Sequence, residues 1–130
     1  MKKKILDYYF LILLSFIPIA ILIGPSISLI NIILIDISFI ILIAFKKEFF
    51  FLKDNSIKFL FLLYAYLIFN SFVSIDIHSG LARNLGFIHM IILFTALNYF
   101  LNIKFFKNKI LLIWLITLVV VSFDVIFEFY

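Results

Sequence analysis

The stretch Ile5–Phe45, ILDYYFLILLSFIPIAILIGPSISLINIILIDISFIILIAF, decides the fold. Nearly all of its side chains are apolar, and as one helix it would extend ~60 Å, about twice the hydrocarbon core of a membrane. Its one break is Gly24-Pro25-Ser26, where glycine ends one helix, proline cannot continue it and serine begins the next. We therefore expect two membrane-spanning helices that form a tight antiparallel hairpin.

Three more apolar runs follow the hairpin, so the sequence predicts an all-α fold, a polytopic transmembrane bundle of five helices. Each run approaches the roughly 20 residues that cross a ~30 Å hydrocarbon core. Apolar residues make up 67% of the 130 residues, against about 45–50% in a soluble domain. We therefore expect residues 1–130 to form a single transmembrane domain. Its helices are expected at about residues 5–23, 27–45, 57–75, 84–103 and 110–127.

The basic residues are sorted between the gaps that separate these runs. If every run spans the membrane once, Arg83 lies on one side and all the lysines lie on the other. Those lysines are Lys2, Lys3, Lys4, Lys46, Lys47, Lys53, Lys58, Lys104, Lys107 and Lys109. The positive-inside rule then predicts a cytoplasmic N-terminus and a periplasmic C-terminus. Because lysines at helix ends attract anionic head groups, the net charge of +4 indicates membrane lipids as partners and no nucleic acid.

One acidic residue, Asp36, falls at the middle of the second run. A carboxylate there costs about 2.5–3.5 kcal/mol on insertion scales, so an intramembrane acid is a functional candidate by default. Two interpretations remain open. Asp36 acts as a proton or ion relay, or it is a protonated acid that forms a hydrogen bond to another helix. No intramembrane lysine or arginine is available to pair with it.

Other polar positions inside the runs predict helix contacts and a bend. Tyr66, Asn70 and Ser74 form a stripe along the third run, which we expect to hydrogen-bond to neighbouring helices. Pro18 lacks a backbone donor, so the first helix should bend near the carbonyl of Leu14, and the Ser15 hydroxyl is positioned to compensate.

The outer ends of the runs carry ionisable groups but no complete active site. Arg83 offers a forked donor that suits phosphate, or it is a snorkelling charge at a helix end that pairs with Asp76. Asp76 and His78 supply only two ligands in one loop, so we expect no metal site. The chain has no cysteine, no nucleotide-binding loop and no nucleophile motif, and we expect no cofactor and no catalytic residue within it.

The order of these features resembles a known family. A basic start and a proline-containing helix lead to Ile23-Gly24-Pro25-Ser26-Ile27-Ser28 and then to Phe61–Ser71, FLLYAYLIFNS. The turn Ser74-Ile75-Asp76 comes seven residues before Arg83, and the chain ends in Ser122–Tyr130, SFDVIFEFY. This pattern resembles the N-terminal part of bacterial O-antigen ligases and O-antigen polymerase-like membrane proteins, and it covers essentially the whole chain.

The resemblance implies an inner-membrane protein of lipopolysaccharide biosynthesis. Members of the family have about a dozen transmembrane helices and transfer glycan from an undecaprenyl-pyrophosphate carrier, the ligases to the lipid A core. Their functional Arg and His residues lie in a large periplasmic loop of the second half, so residues 1–130 are expected to be an N-terminal portion that is inactive alone. Arg83 and Asp124 match family positions and are the candidate substrate-binding residues. His78 and His89 match none.

Two other functions are compatible with the sequence. A small multi-pass transporter or channel subunit would use Asp36 as its coupling acid and complete a pore by oligomerising. An inverted repeat is typical of such transporters, and the five runs show none. A structural membrane protein without chemistry is the remaining possibility.

Overall fold

The computed structural model describes residues 2–46 and 54–129, and all of its regular structure is helical. The helices are α1 (Lys2–Ile23), α2 (Pro25–Lys46), α3 (Asn55–Val73), α4 (Ile77–Gly86), α5 (Ile88–Leu101) and α6 (Lys104–Phe129). Five segments are long and apolar enough to cross a membrane, with α4 and α5 together forming the fourth. The five-span all-α prediction is therefore confirmed. Lys47 and Lys53, which carry part of the charge asymmetry, lie outside the described residues.

The turn between α1 and α2 has the expected form. Gly24 adopts φ +147°, a backbone conformation that strains any residue with a side chain. Its N–H donates to the Ala20 carbonyl at 3.2 Å, and its own carbonyl accepts from Ser28 N at 3.1 Å, so one residue ends α1 and begins α2. Pro25 occupies the first position of α2, where a missing N–H costs nothing.

Two helix starts differ from the sequence-based boundaries. The fourth span begins at Ile77 rather than at residue 84, because Asp76 caps it and its Oδ1 accepts from Ser79 N at 3.2 Å. The gap between the third and fourth spans therefore shrinks to three residues, Ser74 to Asp76. The fifth span begins at Lys104 rather than at residue 110. A tight turn, in which Ile103 N donates to the Phe100 carbonyl at 3.0 Å, connects α5 directly to α6, so residues 104–109 are helical and do not form the gap that the sequence-based boundaries left.

The helices fall into two compact units. The first unit contains residues 1–35 and 100–130, and the second contains residues 36–99. In the first unit α1 and α6 run in the same direction. The rings of Tyr8 and Phe105 lie 6.4 Å apart near the beginning of both helices, and Trp114 contacts Leu14 farther along. Spans one and five are therefore parallel, as expected if each run crosses the membrane once.

The backbone hydrogen bond that Pro18 removes from α1 is replaced by one from a side chain of α6. A proline at position 18 leaves the Leu14 carbonyl without its helical donor. The indole Nε1 of Trp114 donates to that carbonyl at 3.1 Å. The expected compensation by Ser15 does not occur, since its buried hydroxyl has no partner within the described ranges. Asn31 of α2 adds a neighbouring bond, its Nδ2 donating to the Leu13 carbonyl at 3.3 Å.

In the second unit, packing is again set by a few polar contacts. Asn84 of α4 donates through Nδ2 to the Leu67 carbonyl at 2.9 Å and to Ser71 Oγ at 2.7 Å, which joins α3 and α4. Lys46 at the end of α2 donates to the Tyr99 hydroxyl at 3.0 Å near the end of α5. Asp36 in the middle of α2 contacts His89 at the beginning of α5. The two contacts together show that α2 and α5 run parallel within this unit.

Most large apolar side chains face outward. The most extreme case is α6, in which only 6% of the most apolar segment is buried. Leu112, Leu118 and Phe127 are all at least 60% exposed. Apolar patches of this extent are not compatible with water. Five such spans indicate a multi-pass membrane protein whose outer surface contacts lipid.

Candidate functional site

The most unusual polar contact joins two titratable groups inside the second unit. His89 Nδ1 of α5 lies 2.8 Å from Asp36 Oδ2 of α2. The Asp36 side chain is only 3% exposed, whereas the His89 side chain is 46% exposed. The second carboxylate oxygen, Asp36 Oδ1, is buried without a hydrogen-bond partner among the described residues. The intramembrane acid predicted from the sequence therefore faces protein and is paired.

The pair lies far from both ends of its spans. Asp36 falls near the middle of α2, which runs from Pro25 to Lys46. His89 falls near the middle of the fourth span, Ile77–Leu101. About 12 residues at 1.5 Å each separate His89 from Ile77, so it lies roughly 18 Å along the span. Counted from the sequence-based start at residue 84, His89 would lie only about five residues inside the span, so the earlier start of the span places His89 deeper.

The helix that carries His89 is interrupted just before it. Phe87 N donates to the Asn84 carbonyl at 3.2 Å, and Met90 N donates to the Phe87 carbonyl at 3.0 Å. These bonds connect residues three apart and form a short tightened turn between α4 and α5. Phe87 keeps helical dihedral angles, φ −64° and ψ −18°, so the span continues beyond the turn. Turns of this kind inside membrane spans are frequent at functional positions.

The chemistry available to this pair is proton binding. A carboxylate and an imidazole at hydrogen-bonding distance share a proton, and the carboxylate fixes which ring nitrogen faces it. A buried charge without full pairing is costly in a membrane, so a pair in this position needs a reason to persist. Packing alone does not supply one, because an apolar residue at position 36 would fill the same space without the cost.

Sequence reasoning missed His89 as the partner of Asp36. The two residues are far apart in the chain, and no lysine or arginine, the usual partners of a carboxylate, lies inside a run to indicate a pair. The only signal in the sequence was weak: His89 lies inside one apolar run and Asp36 lies inside another. The third-span stripe was also wrong in detail: Tyr66, Asn70 and Ser74 are exposed, and the buried polar residue of α3 is Ser71.

Arg83 and Asp124, the candidate substrate-binding residues, are both exposed and belong to different units. Arg83 lies in the last turn of α4. Within residues 2–46 and 54–129 its side chain forms no hydrogen bond or ion pair, so the expected pairing with Asp76 is absent there. The Asp76 carboxylate bonds Ser79 instead, through the side chain and the backbone N–H, and these bonds hold the pKa of Asp76 below its ordinary value of 3.8. Binding of substrate by either residue stays a prediction.

The described residues contain no group of three His, Cys, Asp or Glu side chains arranged to hold a metal ion. No protein-family model, no curated protein and no solved structure matches the chain.

Proposed function

We propose that this chain is the N-terminal membrane portion of an O-antigen ligase-like protein of the bacterial inner membrane. The full protein would transfer polyprenyl-pyrophosphate-linked glycan in lipopolysaccharide biosynthesis, with the N-terminus of the chain in the cytoplasm. The observation that carries the proposal is the order of features along the sequence, from the Gly24-Pro25 hairpin to the turn Ser74-Ile75-Asp76 followed by Arg83.

The geometry around Arg83 supports this proposal. Its guanidinium is exposed and is not engaged by another described side chain, so both edges of the fork remain available for a phosphate. Arg83 is about six residues, or roughly 9 Å, inside the start of its span. From that depth an arginine side chain reaches the head-group region while its stem stays in the apolar layer. A pyrophosphate-linked carrier held in the outer leaflet would present its charge at this level.

Asp124 has a separate supporting role in the proposal. It is exposed near the end of α6, where the resemblance places an acidic residue. An acid near that end is compatible with binding sugar hydroxyl groups, because an ionised carboxylate accepts several hydrogen bonds. The catalytic residues of the full protein are proposed to lie outside residues 1–130, and these helices would supply the binding surface for the carrier.

The proposal is tested with the full-length reading frame in a strain that lacks its own O-antigen ligase, by detecting glycan on the lipid A core. Loss of a charge-assisted contact to phosphate is expected to lower transfer by about tenfold or more in Arg83→Ala, with partial activity in Arg83→Lys. Lys107→Ala, which removes an exposed charge at the beginning of α6, is the matched control and should retain full transfer. Residues 1–130 expressed alone should give no glycan ladder.

Two outcomes would contradict this proposal. One is a glycan ladder restored by residues 1–130 alone, which would place the active site within them. The other is normal transfer by Arg83→Ala at normal protein level, which would remove Arg83 from the binding site.

A transporter or channel subunit is the second candidate, and the contact between Asp36 and His89 is the observation that favours it. A buried acid at mid-span is the typical position of a coupling group in a proton-driven carrier. Solute uptake by vesicles containing the purified chain, driven by a pH gradient and abolished in Asp36→Asn, would support this function over glycan transfer.

A further inference from the structure

The two ring nitrogens of His89 have different surroundings. Nδ1 is engaged by the Asp36 carboxylate at 2.8 Å. Nε2 is neither enclosed nor hydrogen-bonded within the described ranges, and the ring as a whole is about half exposed. The Nδ1 edge of the His89 ring therefore faces the buried Asp36 carboxylate, and the Nε2 edge lies on the exposed side of the ring.

Counting charges shows how many protons the pair holds. With a single proton on Nδ1 and an ionised Asp36, the pair has a net charge of minus one and Nε2 is bare. One further proton makes the pair neutral. It is then either a carboxylate with an imidazolium or a carboxylic acid with a neutral imidazole, and in both forms Nε2 carries a proton. Because a low dielectric disfavours net charge, the position of the pair near mid-span favours its neutral form over the charged one.

Nearby residues do not offset the charge of the empty pair. The residues one turn away on the same helices are all apolar or glycine, namely Ile32, Ile33, Phe39, Ile40, Leu85, Gly86, Ile92 and Leu93. The other ionisable residues described in this unit are Lys46, Asp54, Lys58, Tyr64, Tyr66, Asp76, His78, Arg83 and Tyr99. Within the described ranges none of these has a hydrogen bond or ion pair with Asp36 or His89.

From this geometry we propose that Asp36 and His89 form a proton-binding site in the middle of the membrane. The loaded site is electroneutral and carries its exchangeable proton on His89 Nε2. Release transfers that proton from Nε2 to a water or ligand oxygen and leaves the pair with one negative charge. Asp36 is the anchor that orients the ring and balances its charge. This proposal does not depend on glycan transfer.

The experiment uses the purified chain in lipid nanodiscs with nitrogen-15-labelled histidine. His78 is an internal control, because it lies exposed in the first turn of α4 on the same span. Ring-nitrogen spectra recorded from pH about 5 to about 9, around the ordinary histidine value of about 6.5, report the proton on each nitrogen. We expect His89 Nε2 to be protonated at both ends of the range, and the His78 signals from the same sample are the reference for a histidine outside the pair.

The matched variant is Asp36→Asn, which keeps the shape of the side chain but can neither carry the balancing charge nor share a proton. In this variant we expect His89 to become a mixture of its two neutral tautomers at pH about 9. An unchanged His78 spectrum and helix content verify its fold. A wild-type His89 with a bare Nε2 above pH about 7 would overturn the proposal, as would an Asp36→Asn spectrum identical to wild type. The wild-type spectrum alone can contradict the proposal, so the test remains valid even if the Asp36→Asn variant does not fold.

Discussion

Each of the two units contains a polar contact between two of its membrane-spanning helices. The two contacts differ in whether they leave hydrogen-bonding atoms without a partner. In the first unit Pro18 frees the Leu14 carbonyl, and Trp114 donates to it. The indole N–H has one proton to donate and the carbonyl needs one donor, so this contact is complete. In the second unit Asp36 and His89 pair at 2.8 Å, but Asp36 Oδ1 and His89 Nε2 remain without partners among the described residues.

The difference separates a structural contact from a candidate functional one. A donor and an acceptor that satisfy each other in full stabilise two helices and leave nothing to bind a ligand. A carboxylate and an imidazole keep spare hydrogen-bonding capacity and change charge when a proton enters or leaves. That spare capacity is costly in a membrane, which is why we propose a function for the contact between Asp36 and His89.

The largest expected effect is on insertion of α2. Asp36→Leu should make the apparent free energy of inserting this helix more favourable by about 3 kcal/mol, because a central Asp is costly and a central Leu is favourable. Ile37→Leu is the control and should change insertion by less than about 0.5 kcal/mol. An insertion assay on the isolated segment measures both. Equal insertion of wild type and Asp36→Leu would show that Asp36 does not lie near the membrane centre.

A smaller effect is expected for the coupling between Asp36 and His89. A double-mutant cycle with Asp36→Leu and His89→Leu should give an interaction energy of about 1–2 kcal/mol, the range found for interhelical hydrogen bonds between model peptides in membranes. Reversible unfolding in mixed micelles or bilayers supplies the four free energies of unfolding. Additive effects of the two substitutions would mean that the side chains do not interact, and the contrast between the units would disappear.

A smaller effect still is expected at the contact in the first unit. Trp114→Phe removes the donor to the Leu14 carbonyl and should destabilise the protein by about 0.6 kcal/mol, the average for such bonds in a membrane protein. In a Pro18→Ala background the same substitution should cost less, because the backbone N–H of residue 18 again supplies the helical donor. Unfolding measurements on the four proteins test this. An equal cost in both backgrounds would show that Trp114 does not compensate for the proline.

The smallest effect is expected at the exposed helix caps of the second unit. The backbone N–H of Ser56 holds the pKa of Asp54 below its ordinary value of 3.8, and Asn98 donates to Asp54 Oδ2 at 2.7 Å. Bonds from Ser79 lower the pKa of Asp76 in the same way. Because both native pKa values are depressed, this stabilisation is present above pH 3.8 and is lost as the pH falls through the native values.

Hydrogen exchange of the first-turn amides of α3 and α4 measures this loss. In Asp76→Asn the cap remains but does not titrate, so the protection of α4 should no longer depend on pH in this range, while that of α3 should still do so. The same pH dependence of α4 in the variant and the wild type would contradict the role of the Asp76 carboxylate.

Helix number and the turn at Gly24 were predictable because both depend on local chemistry. Long apolar runs form helices in a membrane, and Gly24-Pro25 ends one and begins the next. The start of the fourth span was not predictable from hydropathy, because Ile77 to Arg83 includes polar residues that look like a loop. Their helix depends on one cap, Asp76, whose side-chain geometry is not visible in an apolarity pattern.

Only one of the two residues of the candidate site, Asp36, was predictable from the sequence. Asp36 could be named from the sequence because an acid inside an apolar run is costly wherever the helix packs. Which residue approaches it depends on how α2 and α5 are aligned and rotated, and only the tertiary structure decided that His89 fills this position. The same holds for Trp114 and the Leu14 carbonyl. The sequence determined how many helices there are and where charge is costly, because these depend on the solvent around each residue, whereas the pairing of side chains depends on contacts between helices far apart in the chain.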